Sequence, residues 1–309
     1  MRVFMFPGQG SQYVGMGKAA YEASQKAREV FTTAEEITGL PIKKLCFEGP
    51  LEELTRTLNL QPALTAVNLA IFEALKERGF EGEIFCGHSL GEYSALYASG
   101  ITSLEDTFRL VLKRGELMEE AAQRFPGEMY AVIGLSKEKL EEIVKRARER
   151  GVVALANHNT PVQIVITGEK EAASLAARLA KEAGAKRVVK LKVSGAYHSP
   201  LMREAAEKFR EFLKGIVFNK PSGHFFSNVS THREEDPARI KALMGEQIES
   251  PVRWVEEIQN IFTFGGREFV EIGPKNVLSG LVKKILPAED IRIYPLEDPN
   301  SLETNSLEK

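Results

Sequence analysis

The sequence predicts an α/β protein of two units, a larger open α/β unit interrupted by a smaller one. Three observations carry that expectation. A short apolar run at residues 3–6 breaks at Pro7-Gly8-Gln9-Gly10, as a buried strand does when it ends in a tight loop. A second run, Glu83-Ile84-Phe85-Cys86, turns through Gly87-His88-Ser89-Leu90-Gly91 directly into a helical stretch at 92–99. Between 127 and 194 the pattern changes to strand, helix, strand, strand, helix, strand. Strand, glycine turn, helix is the arrangement of an open α/β sheet, whose ligands sit beyond the carboxyl ends of its strands. The βαββαβ order is the ferredoxin-like pattern.

In chain order, helical periodicity runs over 19–37, and a second helix is expected over 62–78. That second helix carries Leu64, Val67, Leu69, Ile71, Phe72 and Leu75 on most of its surface, so it is buried. A third spans 104–122. The smaller unit reads as strands at 129–135, 152–156, 163–167 and 187–193, with helices at 137–150 and 171–183 between them. A helix at 199–213 and a strand near 225–228 return the chain to the larger unit. A charged loop at 231–239, two helical stretches and a strand at 268–272 complete it. Residues 298–309 are polar and expected to fray.

Composition narrows the function classes. At 309 residues the chain has room for about two domains. Apolar residues at 43% and charged residues at 27% exclude wholesale disorder. Lys and Arg number 41 against 43 Asp and Glu, a net charge of −2 that gives no general attraction to nucleic acid or acidic membranes. No apolar run is long enough to span a bilayer, and the apolar start meets Pro7-Gly8 too soon for a signal peptide. Two cysteines, Cys46 and Cys86, cannot form a disulfide framework or a four-ligand zinc site and suit a reducing cytoplasm. Asn228-Val229-Ser230 matches a glycosylation acceptor by chance.

Gly87-His88-Ser89-Leu90-Gly91 fits the G-x-S-x-G nucleophile elbow, in which a strained strand-to-helix turn lifts a serine hydroxyl clear of the sheet. It also sets the amide of the next residue, Leu90, at a helix N-terminus, where a developing oxyanion would be stabilised. A plain helix cap is the competing reading, since serine is a favoured capping residue. The strand before and the helix after favour the nucleophile. On that basis residues 1–126 and 195–297 form a hydrolase-like α/β unit, and 127–194 the ferredoxin-like insertion.

A serine nucleophile needs a base, and there are five histidines. His88 adjoins Ser89, so on a sharp turn its side chain points away. His232 lies in a charged loop; His158 and His224 read as ordinary polar residues of strands. His198 follows a strand of the smaller unit and precedes a helix, the place of a base from a second strand end. The acid of a Ser-Asp-His triad is missing: between Ser89 and His198 the only aspartate is Asp106, at a helix start. A dyad remains, its histidine oriented by a carbonyl oxygen.

In the helix 104–122, Arg109 has Glu105 four residues before it and reads as half of a surface ion pair. Arg114 differs, because Leu110, Val111, Leu117 and Met118 occupy its i−4, i−3, i+3 and i+4 positions. A cation on an apolar stripe either snorkels to solvent or waits for an anion. The second alternative is a guanidinium that grips a carboxylate bidentately.

Taken together with Phe6-Pro7-Gly8-Gln9-Gly10-Ser11-Gln12, Gln61-Pro62-Ala63-Leu64, Asn157-His158-Asn159-Thr160-Pro161, Gly195-Ala196-Tyr197-His198-Ser199, Gln247-Ile248-Glu249-Ser250-Pro251 and Glu271-Ile272-Gly273-Pro274, these motifs resemble one family in order and spacing. It is that of the malonyl-CoA:acyl carrier protein transacylases of bacterial type II fatty acid synthesis, and the resemblance runs from residue 1 to about 297. It implies ping-pong acyl transfer from malonyl-CoA through a malonyl ester on Ser89, with His198 as base, to the pantetheine thiol of acyl carrier protein. It also implies an oxyanion hole from the Gln9 and Leu90 amides, a carboxylate grip by Arg114 and a Gln247 carbonyl orienting His198. Gln61 and Asn159 would line the pocket. No metal or prosthetic group is implied, coenzyme A entering as part of the substrate, and a cytoplasmic monomer with a basic rim for the acidic carrier is expected.

Two departures stand out. Ala196-Tyr197 replaces the common Pro-Phe before the histidine, which bears on acyl selectivity, and Lys275 replaces the last glycine of Gly-Pro-Gly. A thioesterase would share the elbow, but the missing acid and Arg114 disfavour it. A dinucleotide site fails because Tyr13 stands where G-x-G-x-x-G needs glycine. A pure docking protein would need none of Ser89, His198 and Arg114.

Overall fold

The computed structural model describes residues 1–287 and 290–302. Its strands, in chain order, are β1 (Arg2–Phe6), β2 (Ile84–Gly87), β3 (Gly127–Ile133), β4 (Val153–Thr160), β5 (Gln163–Glu169), β6 (Arg187–Lys190), β7 (His224–Phe226), β8 (Arg233–Glu234), β9 (Glu268–Ile272) and β10 (Arg292–Leu296). Six of them form one sheet in the order β10-β9-β1-β2-β7-β8, parallel except for the short β7–β8 pair. The other four form an antiparallel sheet in the order β4-β5-β3-β6.

The larger sheet is covered on both faces, which is why β1 reads as an unbroken apolar run rather than an alternation. Phe4 and Phe6 pack with Phe72 of the helix Thr57–Glu77, while Val3 and Met5 face Trp254 and Ile258 of the helix Trp254–Phe264. Register then places the chemistry. Phe6 of β1 pairs with Gly87 of β2, so the loop after each strand emerges at the same edge. The Pro7–Gly10 loop and the Gly87–Gly91 turn lie side by side in consequence. The approach is so close that a Cβ on Gly91 would run into the Phe6 carbonyl oxygen, and one on Gly8 into that of His88.

The chain passes into and out of the smaller sheet side by side, where Pro126 bridges Gly195. One face of this sheet buries Val132, Ile164 and Ile166 under the helices Lys137–Ala147 and Lys170–Glu182. Met129 and Val165 on the other face join the core of the larger unit. β4 bulges at Leu155/Asn157, and Asn157 there bridges Val252 of the larger unit. The small sheet is thus fixed as a wall over the ends of β1 and β2.

Several expected elements are corrected. The helix expected at 19–37 is two, Lys18–Ala23 and Gln25–Thr38, because Ser24 takes an extended backbone and its side chain caps the Ala27 amide. The helix expected from Pro62 begins at Thr57. Proline is disfavoured inside a helix, but the near-complete burial of this one outweighs the missing hydrogen bond. β6 stops at Lys190 instead of 193, and Leu191 and Val193 beyond it wall a cavity beside Ser89. Three helices rather than two follow residue 231, namely Pro237–Glu246, Trp254–Phe264 and Val277–Ile285. The sequence reading passes over the short helices Ile42–Phe47 and Leu51–Thr55, and β10, whose Pro295 and half-exposed residues mark an edge strand. The expected frayed tail begins as a 3-10 turn, Pro299–Leu302, with Arg78 donating to Pro299 O; residues 303–309 lie outside the described residues. Both cysteines are free and buried, and among the described residues no helix is long and apolar enough to cross a membrane.

The Gly91 packing generates the first prediction. Gly91→Ala pushes β1 and the elbow apart and should cost about 1–3 kcal/mol or more, the penalty of overpacking. A denaturant midpoint equal to that of the wild type would contradict the close approach.

Candidate active site

Ser89 occupies the turn between β2 and the helix Gly91–Ala98 with φ 52°, a left-handed backbone that costs a non-glycine residue about 1–2 kcal/mol. Its N–H donates to Asn228 Oδ1 at 2.7 Å, and Asn228 Nδ2 donates to the Gly87 carbonyl at 2.7 Å, so one side chain splints both arms of the turn. The amides of Gln9 and Leu90 have no hydrogen-bond partner among the described residues, and both residues line the same cavity as Ser89. Two free amides beside a serine hydroxyl, one at a helix N-terminus, could receive a developing oxyanion.

His198 also has a left-handed backbone, φ 56°, and its N–H donates to the Ile248 carbonyl at 3.1 Å. Its Nε2 lies 2.8 Å from Ser89 Oγ. Its Nδ1 lies 3.0 Å from the Gln247 carbonyl and 2.9 Å from that of Ser250. Both are acceptors only, so Nδ1 carries the proton and Nε2 presents a lone pair to the serine hydroxyl. Burial, then the nearby Arg114 charge, pushes the imidazole down to about 3, so it is neutral at physiological pH. Among the described residues no carboxylate touches it; Asp106 pairs instead with Arg109 at the surface. Ser250 is a contributor the sequence reading missed, because a main-chain carbonyl leaves no mark on residue type.

Arg114 is 2% exposed, so the snorkelling alternative is excluded. Its Nη1 donates to Gln61 Oε1 at 2.9 Å, and its Nη2 to Ser89 Oγ at 3.0 Å and Gln247 Oε1 at 3.2 Å. The guanidinium lies 5.3 Å from the centre of the Tyr93 ring. Its Nε is buried without a partner. Nε and Nη2 lie on one edge of the guanidinium by covalent geometry, the edge that a carboxylate takes bidentately.

These groups surround a cavity of about 110 Å³, lined also by Met118, Met129, Leu191, Val193 and Tyr197. Gln9, Leu191 and Val193 also line a wide groove of about 910 Å³ leading outward. The Tyr197 hydroxyl is held by Thr57 Oγ1 at 2.9 Å and Ser194 Oγ at 3.0 Å, so the extra oxygen relative to phenylalanine is satisfied.

Gln61 sits behind Arg114 rather than on the cavity wall, and it is Asn157, not Asn159, that lines the cavity. Asn159 Oδ1 instead meets His88 Nε2 at 2.8 Å. His88 also lines the cavity, and its ring packs edge-on to Trp254. His158 pairs with Glu256 at 3.0 Å, and His224 packs on Phe264. Asn228, legible only as a chance glycosylation acceptor, is fully buried and central. Lys275 has φ 66°, the conformation that explains a glycine there, and its Nζ donates to the Gln12 carbonyl at 3.1 Å, tethering the Gln9 loop.

Residues 3–301 match the acyl transferase domain model. The chain is 44% identical over 301 residues to the malonyl CoA-acyl carrier protein transacylase of Bacillus subtilis strain 168, covering 97% of this chain and 94% of that one. An acyl carrier protein S-malonyltransferase of Vibrio cholerae superposes with a TM-score of 0.94 at 38% identity, over 98% of this chain and 99% of the other. A malonyl-transacylase solved in complex with its type II polyketide synthase acyl carrier protein superposes at 0.95 with 38% identity, over 100% and 99%.

The depressed imidazole has a consequence for stability. The native state resists protonating His198 until far below 6.5, the ordinary value, whereas the unfolded chain takes up the proton near it. The wild type therefore loses stability relative to His198→Gln as pH falls from 6.5, by up to about 1.4 kcal/mol per pH unit. Chemical unfolding of both proteins between pH 7 and 4.5 measures the gap; a constant gap would contradict a buried neutral imidazole.

Proposed function

The chain belongs to the acyl transferase family, with the malonyl-CoA:acyl carrier protein transacylases, and from that premise we propose a mechanism in which Ser89 carries the malonyl group between two thiols. The reaction is transfer of malonyl from malonyl-CoA to the pantetheine thiol of acyl carrier protein. The observation that carries the mechanism is the Ser89 hydroxyl held between His198 Nε2 and Arg114 Nη2 at 2.8 and 3.0 Å.

In the first half-reaction Ser89 Oγ attacks the thioester carbonyl carbon while its proton passes to His198 Nε2. The Gln9 and Leu90 amides receive the negative oxygen of the tetrahedral intermediate. As it collapses, the carbon–sulfur bond breaks and His198 returns the proton to the leaving coenzyme A thiolate. In the second half-reaction the carrier's thiol gives its proton to His198 and attacks the serine ester, and Ser89 Oγ leaves with that proton. The Gln247 and Ser250 carbonyls hold the imidazolium that forms each time, the part an aspartate plays in a triad.

Arg114 supplies the selectivity. A malonyl carboxylate would take the Nε–Nη2 edge, giving the orphan Nε its partner, and would displace Nη2 from the serine hydroxyl. An acetyl group offers nothing in exchange for that edge. Tyr197, with its hydroxyl held away by Thr57 and Ser194, would bound the room beyond the acyl chain. The wide groove is the route we assign to pantetheine; Arg56, Lys190 and Lys192 on its lining, beside Glu52 and Glu119, are the cations we assign to an acidic carrier. Side chains and amides carry every step without a metal or prosthetic group, and we read the protein as a cytoplasmic monomer. In fold terms we read the larger unit as hydrolase-like on its elbow, and the smaller as ferredoxin-like on its strand order.

Two variants test this reading. Ser89→Ala should form no malonyl adduct by intact mass after incubation with malonyl-CoA, and an adduct of wild-type yield would remove Ser89 from the mechanism. Arg114→Ala should lower malonyl loading about 100-fold, the scale for deleting one side of a charge-assisted pair. Acetyl loading should fall much less, and equal losses would sink the carboxylate grip.

A further inference from the structure

Glu92 has no part in the chemistry above, although it closes the Gly87-His88-Ser89-Leu90-Gly91-Glu92 run and is fully buried beneath the nucleophile. Its Oε2 accepts from Gln247 Nε2 at 2.6 Å, and its Oε1 accepts from the main-chain N–H of Asn228 at 3.1 Å. Both of those residues also grip Ser89. Gln247 Nε2 donates to the Ser89 carbonyl at 2.9 Å, and the Ser89 N–H donates to Asn228 Oδ1 at 2.7 Å. Side chains thus hold both peptide groups of the left-handed residue, and both holders end on one carboxyl group. Gln247 carries the effect onward, since its main-chain carbonyl meets His198 Nδ1 and its Oε1 accepts from Arg114.

The chemistry of the circuit requires an acceptor at both oxygens of residue 92. Gln247 Nε2 has two protons, one spent on Ser89 and one on Glu92, and the Asn228 N–H has only one. Glu257, also buried, accepts from Asn228 Nδ2 at 2.8 Å and steadies Asn228 from the far side. Burial pushes the Glu92 acid up to about 7, opposed by the Gln247 and Asn228 donors and by Arg114.

We propose that Glu92 is a positioning residue for acyl transfer, anchoring Gln247 and Asn228 so that they fix the Ser89 backbone and the carbonyl that orients His198. The proposal rests on the acyl-transfer reading of Ser89 and His198.

Glu92→Gln tests it, because the amide keeps the shape of the side chain but turns an NH2 group toward one of two donors. Malonyl loading is followed by rapid quench and intact mass over a range of malonyl-CoA concentrations, with thermal unfolding as a check on the fold. The maximal loading rate should fall about 10- to 100-fold, as expected for a misplaced nucleophile, with KM for malonyl-CoA within about threefold of wild type. A role in packing alone would leave the isosteric variant at the wild-type rate, and that result overturns the proposal. A rise in KM with an unchanged maximal rate overturns it too. Should Glu92→Gln not fold, Asn228→Ser removes the grip on the Ser89 N–H and leaves the carboxyl group in place. The same loss of maximal rate is expected there, and a wild-type rate overturns the proposal. A wild-type enzyme that does not load at all would overturn the acyl-transfer reading instead.

Discussion

Ser89 holds a left-handed backbone at the end of a parallel strand, and the positions of its partners follow from how that strain is sustained. The turn exists only because β1 and β2 run in register, Phe6 opposite Gly87, with glycines where a side chain would collide. Those same contacts set the Gln9 loop against the elbow and leave two amides free beside the hydroxyl. The oxyanion site proposed for them would be a by-product of how two strands end. Strain of this kind persists where the surroundings over-determine it, and here Asn228 and Gln247 do so from opposite sides of the Ser89 peptide groups.

A second constraint is electrostatic. Arg114 is buried with no carboxylate bonded to it among the described residues, held by neutral oxygens of Gln61, Gln247 and Ser89. An isolated buried cation is costly, and three neutral acceptors reduce that cost without cancelling the charge. The uncancelled charge acts on His198, adding to burial in keeping the imidazole neutral. The Arg114 Nε has no hydrogen-bond partner among the described residues. One residue thus acts on the histidine and, in the mechanism proposed above, meets the acyl carboxylate. An aspartate behind His198 would compete for that cation, which gives the carbonyl-oriented dyad a physical logic.

The parts of the site written locally were legible in the sequence. The elbow is five consecutive residues between a strand and a helix, and Arg114 stands out because its helical neighbours are apolar. The fold class was legible too, from the strand endings and the change of rhythm after 127. What escaped is non-local or main-chain. Asn228 lies 139 positions from Ser89, and nothing in its surroundings distinguishes it from a chance glycosylation acceptor. Ser250 acts through a carbonyl that any residue possesses. Asn159 and Asn157 lie two apart around bulges in β4, so which of them faces the cavity is decided by register that the sequence does not print. The break at Ser24 and the early start at Thr57 show local propensity yielding to a cap in one case and to burial in the other.

The proposed mechanism has malonyl wait on Ser89 for a thiol and not for water. Its most direct test starts from the malonyl-enzyme, formed with malonyl-CoA and freed of coenzyme A by rapid desalting. The adduct is then divided between buffer and reduced holo acyl carrier protein, and both are followed by intact mass. The expected result is an adduct that persists in buffer and disappears onto the carrier's thiol as fast as it is mixed. Loss at the same rate in both would contradict it and describe a hydrolase.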